Sequence, residues 1–164
     1  MATIPTDLER MNYGGPAGCI APGQHRQVIG DAVATRTLLA EESGALCLLD
    51  RAAGVVYTLP TPVAGMTFEF LVVVSVTSNA HKVITHANTA FLLGGVLAGD
   101  VTIATSGPYF EANGSTIRAL SANGSTSGGL LGERYVVTAL TSTYWGIHGV
   151  THGAGTLITP FATS

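Results

Sequence analysis

Apolar and polar residues alternate along most of this chain in short runs, broken every few positions by Gly, Pro, Asn or Asp. The densest run is GVVYTLPTPVAGMTFEFLVVVSV, from Gly54 to Val76. Val55, Tyr57 and Leu59 alternate with Val56 and Thr58, which predicts a short strand. Pro60 and Pro62 lack amide donors, so the stretch from Pro60 to Gly65 is read as a turn. Met66 to Val76 is rich in Val and Phe, which favours a long strand over a helix, and the pair is expected to form a hairpin. Further strands are predicted at Thr35 to Ala40, Ala45 to Asp50, His81 to His86, Val101 to Thr105, Ser115 to Ser121, Arg134 to Leu140 and Thr143 to His148. Phe91-Leu92-Leu93 is expected to stop at Gly94-Gly95. Ala112-Asn113-Gly114-Ser115-Thr116 recurs as Ala122-Asn123-Gly124-Ser125-Thr126, and both copies are read as hairpin turns whose glycines need positive φ. The total of roughly ten short strands predicts an all-β sandwich or barrel.

The two ends behave differently. Residues 1–33 hold no sustained period, and Pro5, Pro16, Pro22 and Gly14-Gly15 interrupt them repeatedly. The expected division is therefore an extended N-terminal arm over 1–33 and one all-β domain over 34–164. A solvated tail is the plainer reading of the first segment. Ile4, Leu8, Met11, Tyr13 and Ile20 are more apolar than such a tail requires, and favour an arm laid on a partner. The end of the chain, THGAGTLITPFATS, is uncharged, and Leu157 and Phe161 join the candidate partner-binding residues.

Composition sharpens this picture. Only 10% of residues are charged, a single lysine is present (Lys82), and the net charge is −3. Typical domains carry about 25% charged residues. A chain this poor in charge is expected to cover much of its surface in an assembly. The arginines are scattered and the balance is acidic, which argues against direct nucleic-acid binding. No apolar run is long enough for a membrane helix, and the N-terminus lacks a basic-then-apolar signal. Cys47 sits in an apolar run and is expected in the core, without a disulfide to Cys19.

Candidate chemistry is sparse. His81 and His86 are expected on opposite strand faces, and glycines interrupt the His148/His152 spacing, so neither pair suggests a metal centre. Asp50, Glu69, Asp100, Glu111 and Glu133 are scattered rather than paired. Glu69, in an apolar strand, is expected on an outer face or against an arginine. There is no Gly-x-Ser-x-Gly elbow and no phosphate-cradling loop. Neither enzymatic activity nor a cofactor is expected.

The run from Glu42 to Phe70 resembles a module of tailed-bacteriophage structural proteins with the pattern SGxxxxLDxAxGxxxTLPxPxxGxxFxF. It is matched here by Ser43-Gly44, Leu49-Asp50, Ala52, Gly54, Thr58-Leu59-Pro60, Pro62, Gly65, Phe68 and Phe70. The end, with Tyr144-Trp145-Gly146-Ile147 and then Gly155-Thr156 and Thr159-Pro160-Phe161-Ala162, is similar to such proteins too. The resemblance spans residues 41–164 and leaves the arm unmatched. It implies a virion structural role, as a capsid decoration (cement) protein made in the host cytoplasm. Such a protein would sit on the outer surface of the capsid, bound to the major capsid protein as a homo-oligomer, most often a trimer. A tail or fibre module that binds a receptor or glycan is the alternative. No catalytic residues come with the resemblance.

Overall fold

The computed structural model describes residues 25–102 and 107–164. They form β1 (Val28–Ile29), β2 (Thr35–Thr37), β3 (Leu46–Leu49), β4 (Val56–Thr58), β5 (Thr67–Val72), β6 (His81–Ile84), β7 (Phe91–Asp100), β8 (Tyr109–Asn113), β9 (Ala119–Ala122), β10 (Arg134–Ala139), β11 (Tyr144–Gly153) and β12 (Phe161–Ala162). One 3-10 turn, Ala40–Glu42, is the only helical piece among the described residues. The strands make a seven-stranded sheet, β1-β3-β5-β10-β11-β7-β8, and a five-stranded sheet, β12-β9-β6-β4-β2. The all-β expectation holds, and the form is that of a two-layer sandwich.

The chain changes sheet at each step from β1 to β7. β1, β3 and β5 lie side by side and parallel in the larger sheet, with Val28, Leu46 and Glu69 in line. β2, β4 and β6 do the same in the smaller sheet, with Thr35, Val56 and Lys82 in line. The first half of the domain is thus a two-layer spiral of three coils. The predicted hairpin around Pro60 is absent, because β4 and β5 belong to different sheets. The physical reason lies in the proline-rich connection. Pro60 and Pro62 cannot donate to a ladder, so the segment bridges the layers. Its far end is tied down by Gly65 N–H to Ala139 O (2.9 Å) and Met66 N–H to Val63 O (3.0 Å).

Between the layers lies one continuous core. Alternation along β5 sends Phe68, Phe70 and Val72 inward, and β10 and β11 contribute Tyr135, Val137, Trp145 and Ile147. Tyr57 of the small sheet meets Phe70 of the large one with ring centroids 5.6 Å apart, in a tilted arrangement suited to aromatic quadrupoles. The Tyr57 hydroxyl lies 3.0 Å from Leu48 O, so its polar end is satisfied across the interlayer space. Cys47 is fully buried in this core as a free thiol. Burial, with the Glu42 charge adding to it, pushes its pKa up to about 12, so it is an inert protonated side chain near neutrality.

Two other expectations need correction. Gly94-Gly95 does not stop a strand; β7 runs through both residues, parallel to β11 over its whole length. A Cβ at Gly94 would stand 2.3 Å from Ile147 O, so the glycine permits close approach rather than termination. The Val101 to Thr105 strand does not start where expected, since Val101 and Thr102 follow the end of β7 in a bend, and the rest of that stretch lies outside the described residues.

The repeated Asn-Gly motif builds two corners rather than hairpins. Asn113 lies where the chain leaves β8 of the large sheet for β9 of the small one, and Asn123 where it departs from β9. Each carboxamide oxygen accepts three backbone amides: Ser115, Thr116 and Ile117 at the first corner, Ser125, Thr126 and Ser127 at the second. Each Nδ2 donates to the following Thr116 or Thr126 hydroxyl. Gly114 and Gly124 have φ of 69° and 79°, the left-handed region read for them from the sequence.

The surroundings of the two glycines differ. A Cβ on Gly114 would meet only the tip of Leu93 at 3.1 Å, whereas one on Gly124 would lie 1.9 Å from Val76 O. Gly114→Ala should therefore cost about 1 kcal/mol, the left-handed penalty alone. Gly124→Ala should cost clearly more, and Ser115→Ala close to nothing. Urea unfolding of the three variants checks the order, and equal losses at the two glycines would contradict it.

Candidate interaction surface

The two outward sheet faces have opposite characters. The five-stranded face presents Thr35, Thr37, Thr58, Lys82 and Ser121 with Val56 and Ile84, a mixed and mostly polar surface. The seven-stranded face is more apolar, although Arg134, Thr138, His148, Glu111 and Asn113 also stand on it. Strand alternation places Leu46, Leu48, Leu71 and Val136 outward on β3, β5 and β10, half-buried by their neighbours. On β11, β7 and β8 the outward side chains are freer: Val150 is 55% exposed, Leu97 51%, Leu93 41% and Tyr109 62%. Register sets Val150, Leu97 and Tyr109 in one row across three strands. The next row holds Gly95 between exposed His148 on β11 and exposed Glu111 on β8, and the row beyond it holds Gly146 beside Leu93. The Tyr109 ring covers Gly95 and the Leu140 side chain covers Gly146.

Charge enters this face at a cluster around Glu69 and, apart from it, at Glu111. Glu69 points outward from β5, as expected, yet is 7% exposed because two arginines close over it. Arg26 and Arg134 both pair with its carboxylate. Arg26 also donates from Nε to Gly44 O (3.0 Å) and from Nη2 to Ala45 O (3.2 Å), which binds the segment before β1 to the sheet. Burial alone would raise the Glu69 pKa, but hydrogen bonds from Arg134 and Arg26 outweigh it and hold the carboxyl below the usual range. At the opposite side of the sheet, Glu111 on β8 is exposed and makes no ion pair among the described residues.

The remaining candidate groups are structural. His81 is buried; Nδ1 accepts the Val55 amide (3.2 Å) and Nε2 donates to Val74 O (2.9 Å), which fixes the neutral tautomer. Burial lowers its pKa, against a raising contribution from the bond to Val74. His86 is exposed, so the two imidazoles do not converge. Glu133 is buried and accepts from Gly129 N (2.7 Å), His152 N (2.9 Å) and the Tyr135 hydroxyl. Burial and the Glu133 charge drive the Tyr135 phenol well above its ordinary value. Every group in this network is matched within the chain, and it anchors the 127–133 loop to β10 and β11. Among the described residues no three His, Cys, Asp or Glu side chains are placed to share a metal ion, and no helix is long and apolar enough to cross a membrane. An open cleft of about 330 Å³ beside Arg51 and Asn79 is lined mainly by Ala34, Thr35, Ala53 and Ala80 and offers no reactive pair.

Of the residues proposed from sequence as partner-binding, Ile4, Leu8, Met11, Tyr13 and Ile20 lie outside the described residues. Phe161 requires correction: β12 pairs with β9 and carries its ring into the core at 7% exposure, so the chain's own sheet covers it. Leu157 is half-buried over Gly153, and its neighbour Ile158 is exposed. The sheet begins at Val28, inside the span assigned to the arm. Sequence reasoning missed the outward patch of Leu93, Leu97, Tyr109 and Val150. Its signal was the alternation in β7 and β11, hidden where the glycines were read as strand ends. Comparison with protein-family models, curated proteins and solved structures gives no match.

Two pH-dependent outcomes follow. With its pKa lowered by folding, Glu69 contributes stability above its unfolded value of about 4.3, lost as pH falls through the folded value. Glu69→Gln should cost about 1–2 kcal/mol at pH 7, with the solvent-accessible arginines limiting the effect. The gap from the natural sequence should close below about pH 4, and a gap unchanged there would contradict the ion-pair account. Because His81 is also depressed, its contribution is full above about pH 6.5 and declines as pH falls. Denaturation midpoints should show this loss between pH 7 and pH 5 in the natural protein, and a shallower one in His81→Gln.

Proposed function

We propose that this chain is a virion structural protein of a tailed bacteriophage, a capsid decoration (cement) protein that binds the major capsid protein on the outer surface of the shell. The observation that carries the reading is the apolar patch on the outward face of the seven-stranded sheet, which calls for cover in an assembly. It stands on a chain with few charges, whose polar clusters are spent internally. A surface of this kind serves contact rather than catalysis. The phage-structural motif supports the same reading: Gly65, Phe68 and Phe70 of that motif end the proline-rich crossing and begin the core strand β5.

The mechanism is mechanical. A homo-oligomer, expected as a trimer, bridges adjacent capsomers and adds buried interface that opposes internal pressure on the shell. Standard interfaces bury about 1,600 Å² in total, and repetition over a closed lattice multiplies weak contacts through avidity. The net charge of −3 suits a partner made of protein better than the packaged nucleic acid. A tail or fibre module binding a glycan would need clustered aromatics. Tyr109 and Tyr144 share this face, but Tyr144 stands level with Phe91 and Tyr109 with Leu97, six residues further along β7, so they are not clustered.

In this reading the first segment grips the shell. Deleting residues 2–24 removes Ile4, Leu8, Met11, Tyr13 and Ile20 while keeping Arg26 and β1. Three lost anchors at roughly 1 kcal/mol each should lower affinity for undecorated capsids by about two orders of magnitude. Co-sedimentation with such capsids measures this. Failure of the full chain to bind would overturn the decoration reading, and unchanged binding by the truncated chain would remove the arm from it.

A further inference from the structure

We infer that the outward face of the seven-stranded sheet, centred on Val150, Leu97, Leu93 and Tyr109, is the surface through which copies of this chain associate. It rests on the self-association proposed above, but like faces packed on one another close as a two-fold dimer rather than a trimer, and because its test needs no capsid the two readings can fail separately.

Area is the first argument. With about 3.3 Å rise per residue and about 4.8 Å between strands, each strand residue occupies roughly 16 Å² of sheet. The seven strands therefore present roughly 700 Å², close to the roughly 800 Å² that one partner gives to a standard interface. Shape is the second. Sheet faces pack on one another at about 10 Å as sandwich layers do, and Val150, Leu97 and Tyr109, in one row across three strands, supply side chains for such a contact.

The third argument concerns which partner fits. Interfaces that form permanently between copies are more apolar than those that open and close. A decoration protein meets its shell only after folding, and until then this face would stand in water. A second copy is present from the moment of synthesis and removes that exposure at once. Charge supports the choice. The Arg26–Glu69–Arg134 cluster, two cations on one carboxylate, keeps an excess positive charge at largely exposed Arg134 beside Val150, and Glu111 stands exposed across the patch on β8. The same patch thus carries a basic side and an acidic side around an apolar centre, so two copies complement each other without a foreign partner.

The experiment is sedimentation of the purified full chain at about 10 μM, with variants on each face. The natural protein should sediment as a dimer. Leu97→Asp and Val150→Asp should raise the dissociation constant by more than about 100-fold, because each places an unpaired charge at the centre of the contact. Lys82→Glu, on the outward side of the five-stranded sheet, should leave association unchanged. Thermal melts show whether each variant is folded. Should both Asp variants unfold, the near-isosteric Val150→Thr must still weaken association measurably. A monomeric natural protein overturns the inference, as does association that survives the Leu97 and Val150 changes or that Lys82→Glu abolishes equally. A monomer whose folded Leu97→Asp form loses capsid binding would overturn it too, by giving the face to the shell.

Discussion

The structure depends on burying one aromatic layer between two sheets. Trp145, Tyr57, Tyr135, Phe68 and Phe70 are all fully enclosed, and they come from both layers. Each such side chain is worth roughly 1.5–3 kcal/mol of transfer free energy, and rings meeting at an angle add a little more. In a chain with this few charges, little else can hold the layers together. The winding of the first three coils follows from the same need. Each strand that buries one side in the core is followed by a crossing to the other layer, so neighbours within a layer come out parallel.

Polar groups inside the molecule serve this packing. Glu133, His81 and the two Asn corners each satisfy several backbone groups at places where the chain turns between layers. An unmatched buried amide costs about 1–3 kcal/mol, so these residues make the crossings possible. Trp145 Nε1 is the exception, buried with no hydrogen-bond partner among the described residues. Its ring packs on Phe68 with centroids 6.0 Å apart, and the apolar gain of that contact offsets the unmatched donor. With these polar side chains used internally, an apolar patch remains on the outward face of the larger sheet, and the decoration reading proposed above rests on that distribution.

Much of the fold class was legible in the sequence. Alternation marked β3, β4, β5, β6, β10 and the start of β11, and the Asn-Gly repeat marked two positive-φ glycines. Connectivity was not legible. A Pro-rich segment between two strands reads the same locally whether it closes a hairpin or crosses to another sheet, because the difference lies in which distant strand supplies the hydrogen bonds. Likewise Gly94 reads as a break until the approach of Ile147 O is known. The Glu69 environment was anticipated in kind, but its two arginines, Arg26 and Arg134, are far away in sequence. The apolar outward face was hidden for a similar reason. It is assembled from alternate residues of several strands, none of which is unusually apolar alone.

The central claim is that this domain acts by contact on the outside of a phage head. It is tested most directly by imaging mature virions that contain the chain, at a resolution that resolves the two sheets. The account predicts ordered copies on the outer surface of the capsid, touching the major capsid protein. Density for the domain on the tail or fibres alone, or its absence from mature particles, would contradict it.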